Sequence, residues 1–362
     1  SGASPRPGSG GSPILSREKS AMATEQLRTE ARRILTICAI CKYCNGYCEM
    51  FRAAERRRDF SDADLDYLAH LCHNCRNCWH ACQYAPPHSF ALNLPRTLAE
   101  LRQPPQPPLA RLSLAVTLLP PLLTLLLVPF DLLFAVHQGP GAFYRVIPWS
   151  ILCLAAAVPL GWSLLHLTRG VLRFWQATRP PPLTARALRQ AWHDLITLRN
   201  LGGGGAGCDE GTGTLSQRRR RLHHLLTGGM LACFAATVVA TWDHHVLGLP
   251  APYPWYSAPV LLGTGGGGAL CAGALGLLWL RRGADPGPIF PAAAAADRFF
   301  LGQILAVAVS GLLLLIFRDG PAMGLLLALH LGTVLGFFVA LPHGKFAPVS
   351  YTHLAGDSQM TL

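Results

Sequence analysis

Residues 38–48 read CAICKYCNGYC and residues 72–82 read CHNCRNCWHAC. Both runs have the spacing C-x2-C-x2-C-x3-C: Cys38, Cys41, Cys44 and Cys48 in the first, Cys72, Cys75, Cys78 and Cys82 in the second. A cubane iron–sulfur cluster takes three thiolates from one tight turn and a fourth from elsewhere. In two-cluster ferredoxins the fourth cysteine of each run ligates the other cluster. The spacing therefore predicts two [4Fe–4S] clusters, one on Cys38, Cys41, Cys44 and Cys82, the other on Cys72, Cys75, Cys78 and Cys48. Structural zinc also uses paired cysteines, but as two separated pairs, not as three evenly spaced cysteines and a fourth. The fourth cysteines are followed by Glu49 and Gln83, where a bacterial ferredoxin has proline; prolines come only at Pro86 and Pro87. His70, His73, His80 and His88 surround the second run and read as polar neighbours of a cluster.

The remainder of the chain has another character. Hydrophobic residues make up 51% of the 362 residues and charged residues only 14%, where a soluble chain carries about 25% charged. That composition excludes an ordinary cytosolic enzyme. The net charge of +12 points to a membrane, whose cytoplasmic loops collect basic residues, in preference to nucleic acid. Residues 1–21, rich in Ser, Gly and Pro, have no apolar stretch of signal-peptide length and are expected to be a disordered tail or a fusion scar. Residues 22–101 form the cysteine domain. Within it, Thr24 to Arg33 reads as a short helix, and Ser61, followed by Asp62, Asp64 and Asp66, reads as a helix start. Residues 102–111 are a Pro-rich linker and 347–362 a C-terminal tail.

Between them, residues 112–346 hold six apolar stretches of about the 20 residues a bilayer core requires: 112–135, 147–168, 222–242, 258–280, 298–317 and 321–341. Pro120, Pro121 and Pro129 are expected to kink or divide the first. Arg318, Asp319 and Gly320 alone join the last two, which implies an antiparallel hairpin. Ten arginines lie between Arg169 and Arg221, and Arg281, Arg282 and Arg298 lie between spans four and five. The loops of the other parity contain only Arg145 and Arg318. The positive-inside rule then places both termini in the cytoplasm. The run Arg218–Arg221 reads as a solvated loop end, and Gly202–Gly207, within the cytoplasmic loop 169–221, as a flexible loop. Gly265–Gly268, inside span four, suits close helix packing.

Ionisable groups inside spans are costly and default to functional hypotheses. Bis-histidine haem b needs two imidazoles on different helices at matching depth. His330 lies in the middle of span six. His223 and His224 lie at the cytoplasmic mouth of span three, His343 at the same mouth of span six, and His244 and His245 at the far end of span three. Depth pairs His223 or His224 with His343, and His244 or His245 with His330. Thirteen residues separate His330 from His343, roughly 20 Å along a helix, so one haem cannot use both.

The runs ARRILTICAICKYCNGYCEMF and LCHNCRNCWHACQYAPPHSFALNLP, the segment LGGGGAGC, the RRLHH entry to span three and the ending ALHLGTVLGFFVALPHGKF together resemble the tricarballylate (citrate) utilisation protein B family over residues 28–346. The resemblance implies a mainly α fold: a ferredoxin-type dicluster helical domain fused to a six-helix, cytochrome-b-like transmembrane bundle in a bacterial cytoplasmic membrane. It implies iron–sulfur clusters and haem b that reoxidise a partner dehydrogenase's flavin and pass the electrons to quinone, with the carboxylate oxidation itself on the partner. The final span also resembles the cytochrome b subunit of respiratory nitrate reductases, in His330, Pro342 and Lys345. In that type a second haem histidine follows; here its place falls near Pro348, and His343 is the nearest substitute. Two rivals stand beside this reading: a quinol-oxidising subunit feeding a cytoplasmic reductase, and a zinc-binding membrane sensor or scaffold.

Overall fold

Helix α1 (Pro13–Cys41) ends on the first cysteine run, and is much longer than the ten residues expected from sequence. Its start lies inside the stretch expected to be a tail. Ala31, Ile34 and Leu35 recur at helical spacing and are buried, which gives α1 an apolar stripe. The computed structural model describes residues 13–102, 107–178, 184–209 and 214–344. The C-terminal tail, with Lys345 and Pro348, lies outside these residues, as do 103–106 of the Pro-rich linker.

Four more helices complete the polar half: α2 (Glu49–Glu55), α3 (Asp62–Leu71), α4 (Asn77–His80) and α5 (Leu94–Leu101). The Ser61 side chain accepts from the Asp64 amide, and the Asp64 carboxylate accepts from the Ser61 amide. This reciprocal cap is the start signal read from sequence, worth about 1 kcal/mol. Met50, Phe51, Leu65, Leu68, Leu94 and Leu98 pack onto the α1 stripe in one core.

The six apolar helices follow, with short α7 (Phe130–Leu133) and α8 (Ala142–Val146) after the first. They are α6 (Pro107–Leu127), α9 (Trp149–Thr178), α11 (Arg218–His245), α12 (Ala258–Leu280), α13 (Pro291–Phe317) and α14 (Met323–Ala340). Between α9 and α11 lie α10 (Ala185–Thr197) and a two-stranded hairpin, β1 (Cys208–Asp209) and β2 (Leu215–Ser216). α11 packs along α12, α12 on α13, and α13 on α14; α14 also packs on α6 and α9.

Two expectations change here. α6 runs unbroken through Pro120 and Pro121 and stops before Pro129, which caps α7. Pro121 has no N–H to give the Thr117 carbonyl. That freed carbonyl abuts Gly332 of α14, where a Cβ would collide with it. Ser113 Oγ donates to the Gly336 carbonyl at 2.8 Å, so neighbouring helices absorb the irregularity. Second, α9 continues about ten residues beyond its expected end. Phe174, on this extension, joins the core of the cysteine domain beside Tyr67 and His70, with ring centroids 6.0 and 6.4 Å away.

Lipid offers little hydrophobic drive for helix association, so small residues that permit close approach matter most. Gly229 of α11 and Gly266 of α12 face each other at such a crossing. Gly332→Leu should therefore force α6 from α14 and cost about 1–3 kcal/mol, seen as a lower melting temperature in detergent. Gly268→Ala, where nothing lies within 4 Å of the added carbon, should leave that temperature unchanged.

Candidate iron–sulfur and haem sites

Left-handed backbone shapes both cysteine runs. Lys42, Gly46, Asn74 and Arg76 all have positive φ, between 51° and 92°. Lys42 follows directly on Cys41, where α1 ends, and Asn74 and Arg76 bracket Cys75. Such residues reverse the chain within one or two positions, letting thiols three apart face a common space. A cavity of about 210 Å³ is lined by Cys38, Cys41, Cys44 and Cys82, with Ile37, Tyr43, Phe51, Tyr84 and Leu92 among its walls. Cys82 comes from the second run, the other three from the first.

The charges acting on each thiol follow the same partition. Burial first, then Cys44, Cys82 and Cys41, push the Cys38 thiol up to about 12. Cys44 rises to about 11 through burial, Cys82 and Cys41. Cys48 rises to about 12, chiefly through burial and then Cys72, although the Phe51 and Met50 amides at the start of α2 pull it down. Cys78 is raised by burial and then by Cys75, Cys72, Cys48 and Cys44. Each fourth cysteine thus stands among the first three of the opposite run. Among the described residues no three His, Cys, Asp or Glu side chains converge at single-ion spacing. The all-thiol donor set and its apolar walls fit a cubane cluster, whose iron holds the thiolate charge that burial opposes.

The glycine-rich segment is not a free loop. Arg199–Gly205 forms a 3-10 turn that lies against the cysteine domain. Gly204, at φ +76°, leaves no room for a Cβ against the Tyr47 and Gly46 carbonyls. Asn77 Nδ2 donates to the Gly207 carbonyl at 2.8 Å, and Asn77 Oδ1 accepts from the Asp209 amide at 2.9 Å. Nor is the arginine run merely solvated. Arg219 Nη1 donates to the Asn74 carbonyl and Nη2 to the His73 carbonyl, both at 2.8 Å, while Arg220 binds the Thr197 carbonyl. Trp79 Nε1 donates to Asp285 at 2.8 Å, and Asn93 to the Gly287 carbonyl at 2.9 Å. Asn77, Gly204 and Arg219 escaped the sequence reading because their partners lie far along the chain.

In the membrane half, His330 packs on Gly311 of α13, where a Cβ would lie 2.9 Å from the ring. Its Nδ1 is 3.0 Å from Ser310 Oγ, which donates to the Val307 carbonyl. Thr333 Oγ1 lies 3.0 Å from the same hydroxyl; with the proton on Nδ1, donated to Ser310, Nε2 would be the nitrogen open to a metal. His223 and His224 each donate Nδ1–H one turn back, to the Arg219 and Arg220 carbonyls. His244 stacks on Trp149 at 5.5 Å and meets Tyr144 edge-on, with His245 beside it. The helix that His330 packs on here is α13. His343 ends a short 3-10 turn, and its side chain lies outside the described residues. In His223 and His224 the bond from Nδ1 leaves Nε2 as the ring's lone-pair nitrogen.

Gly204→Val should lift the glycine turn off the cysteine domain. Limited trypsin digestion should then cut at Arg199 while the unaltered protein resists.

Residues 31–108 match the citrate utilization protein B Fer4-like domain, and residues 102–356 match citrate utilization protein B. No solved structure matches the chain. A curated relative, "Citrate utilization protein B" of Escherichia coli, is 40% identical over 335 residues, covering 88% of this chain and 88% of the relative. With both halves matched in order, the chain belongs to the citrate utilization protein B family.

Proposed function

We propose that the protein is the membrane electron-transfer subunit of a carboxylate-oxidising system of the citrate or tricarballylate type. The observation that carries this is the exchange of fourth cysteines between the two runs. Cys38, Cys41, Cys44 and Cys82 hold one [4Fe–4S] cluster, and Cys72, Cys75, Cys78 and Cys48 the other. These groups, when bound, supply one-electron transfer and accept no substrate bond.

The chain's own residues set the order of transfer. The cavity of the first run has Ile40 and Tyr43 exposed beside it, a surface on which a flavin-bearing dehydrogenase can seat. The second run lies under the glycine turn and against the start of α11. Electrons enter at the first run, cross to the second and pass into the bundle. There His330, its Nδ1 beside Ser310 Oγ, is the histidine we assign to haem b, paired by depth with His244 or His245; His223 or His224 with His343 is the other candidate pair. Membrane quinone is the acceptor. The termini and the cysteine domain lie in the cytoplasm of a bacterial inner membrane.

Four measurements test this. Anaerobically purified protein should be brown-red and contain about eight iron and eight sulfide, as two cubanes require; a colourless zinc protein would overturn the proposal. Cys41→Ser and Cys75→Ser should each remove one cluster's signal, while Cys153→Ser, on an exposed cysteine of α9, should remove neither. His330→Ala should lose low-spin haem and keep both clusters. Reporters after Leu362 and within Gly202–Gly207 should report cytoplasm, and one near Tyr253 the opposite side.

A further inference from the structure

We infer that Arg219 is a positioning residue for the cluster of the second cysteine run, holding its loop and raising its reduction potential above that of the first. The inference rests on the two-cluster reading above. It assigns to an arginine of the first turn of α11 a role in the electron path, beyond membrane orientation.

The geometry is a fork. The two terminal nitrogens of Arg219 reach two successive carbonyls, His73 and Asn74, at 2.8 Å each. Those peptides join Cys72 to Cys75, so the guanidinium fixes the segment that sets the spacing of two proposed ligands. Arg102 grips the other end of the same segment, through the Ala69 and Cys72 carbonyls. A planar guanidinium suits such paired acceptors, and a lysine ammonium does not.

The second run sits among charges of both signs, and the fixed Arg219 guanidinium is one of its cations. Around Arg76, inside the second run, stand Arg219 and Arg281, with Asp209 as the buried carboxylate. His80 lies 3.7 Å from Asp209. Asp285 accepts from Trp79, and Glu49 follows Cys48. Arg76 Nη1 is buried with no hydrogen-bond partner among the described residues. At the first run, the charges that raise Cys38 and Cys44 are those of neighbouring thiols, and Lys42 lies between Cys41 and Cys44.

Reduction of a [4Fe–4S] centre adds one electron and one negative charge, and no bond forms or breaks. A fixed guanidinium held against the ligand-bearing segment favours the reduced form. Transfer oxidises the first cluster and reduces the second by one electron, with no proton required. Arg219 makes that step downhill, toward the membrane.

The test is a redox titration of the purified full-length protein followed by low-temperature electron paramagnetic resonance. Cys75→Ser identifies which midpoint belongs to the second run. Arg219→Gln should lower that midpoint so that the reduced-to-oxidised ratio at a given potential falls about tenfold, which is 59 mV for one electron. The first-run midpoint should stay in place. Arg219→Lys keeps the charge and loses the fork, so about a threefold change in the same direction is expected. Arg221→Gln removes an exposed charge two residues away and should move neither midpoint. An unmoved second-run midpoint in Arg219→Gln, or a matching shift in Arg221→Gln, would overturn the inference. If Arg219→Gln fails to assemble, an unmoved midpoint in Arg219→Lys overturns it equally. Absence of both cluster signals from the unaltered protein would instead sink the two-cluster reading itself.

Discussion

Each cysteine run is completed by a residue of the other, and the cysteine domain is built around that exchange. Cys82 must reach the space made by Cys38, Cys41 and Cys44, and Cys48 the space made by Cys72, Cys75 and Cys78. α1 and α3 therefore have to present their ends side by side. The shared core of Ile34, Leu35, Leu65 and Leu68 holds them there, with α5 packed against both. The Ser61 capping box fixes where α3 begins, and hence where Cys72 falls at its end. Four partly buried thiols around one space repel one another once ionised, which is why burial and neighbouring thiols raise Cys38 and Cys44.

The cysteine domain is also bound to the bundle at several points, each of different chemistry. Phe174 brings an apolar contact from α9, Arg219 a charged fork from the start of α11, and Asp285 and Gly287 polar contacts from the link between α12 and α13. Asn77 and the glycine turn seal the second run from the side. Such attachment keeps the cysteine domain and the bundle at a fixed separation, which a bare Pro-rich linker cannot do.

What could be read from the chain followed the reach of each signal. The six spans, the Ser61 cap and the two runs are local patterns, visible within about 20 residues, and the family resemblance rested on those same stretches. The boundaries slipped where helices outrun the bilayer, as α9 does to deliver Phe174. The glycine segment was misread as flexible because Gly204 has its reason in the Tyr47 carbonyl, some 150 positions earlier. Pro120, Pro121 and Pro129 were expected to kink or divide the first span; it divides at Pro129, while α6 runs on through Pro120 and Pro121. The compensating glycine, Gly332, stands on another helix. The histidine pairing by depth used rise per residue alone, and depth does not say which helices pack together.

The charge count and the contacts bear on one question from independent directions. Arginine counts assign the loops before α11 and α13 to one side of the membrane by a statistical rule. The contacts put those same loops on the side of the cysteine domain, because Arg219, Asp285 and Gly287 touch it directly. The α13–α14 turn belongs to the other end, where buried Arg318 donates to the Tyr253 carbonyl and lies over Trp255 at 4.2 Å. Any arrangement in which an odd number of helices crossed between the cysteine domain and these loops would break the contacts. The domain and the loops that touch it therefore stay on one face, whichever face the charges select. Arginines that select the face, Arg219 among them, also make the attachment.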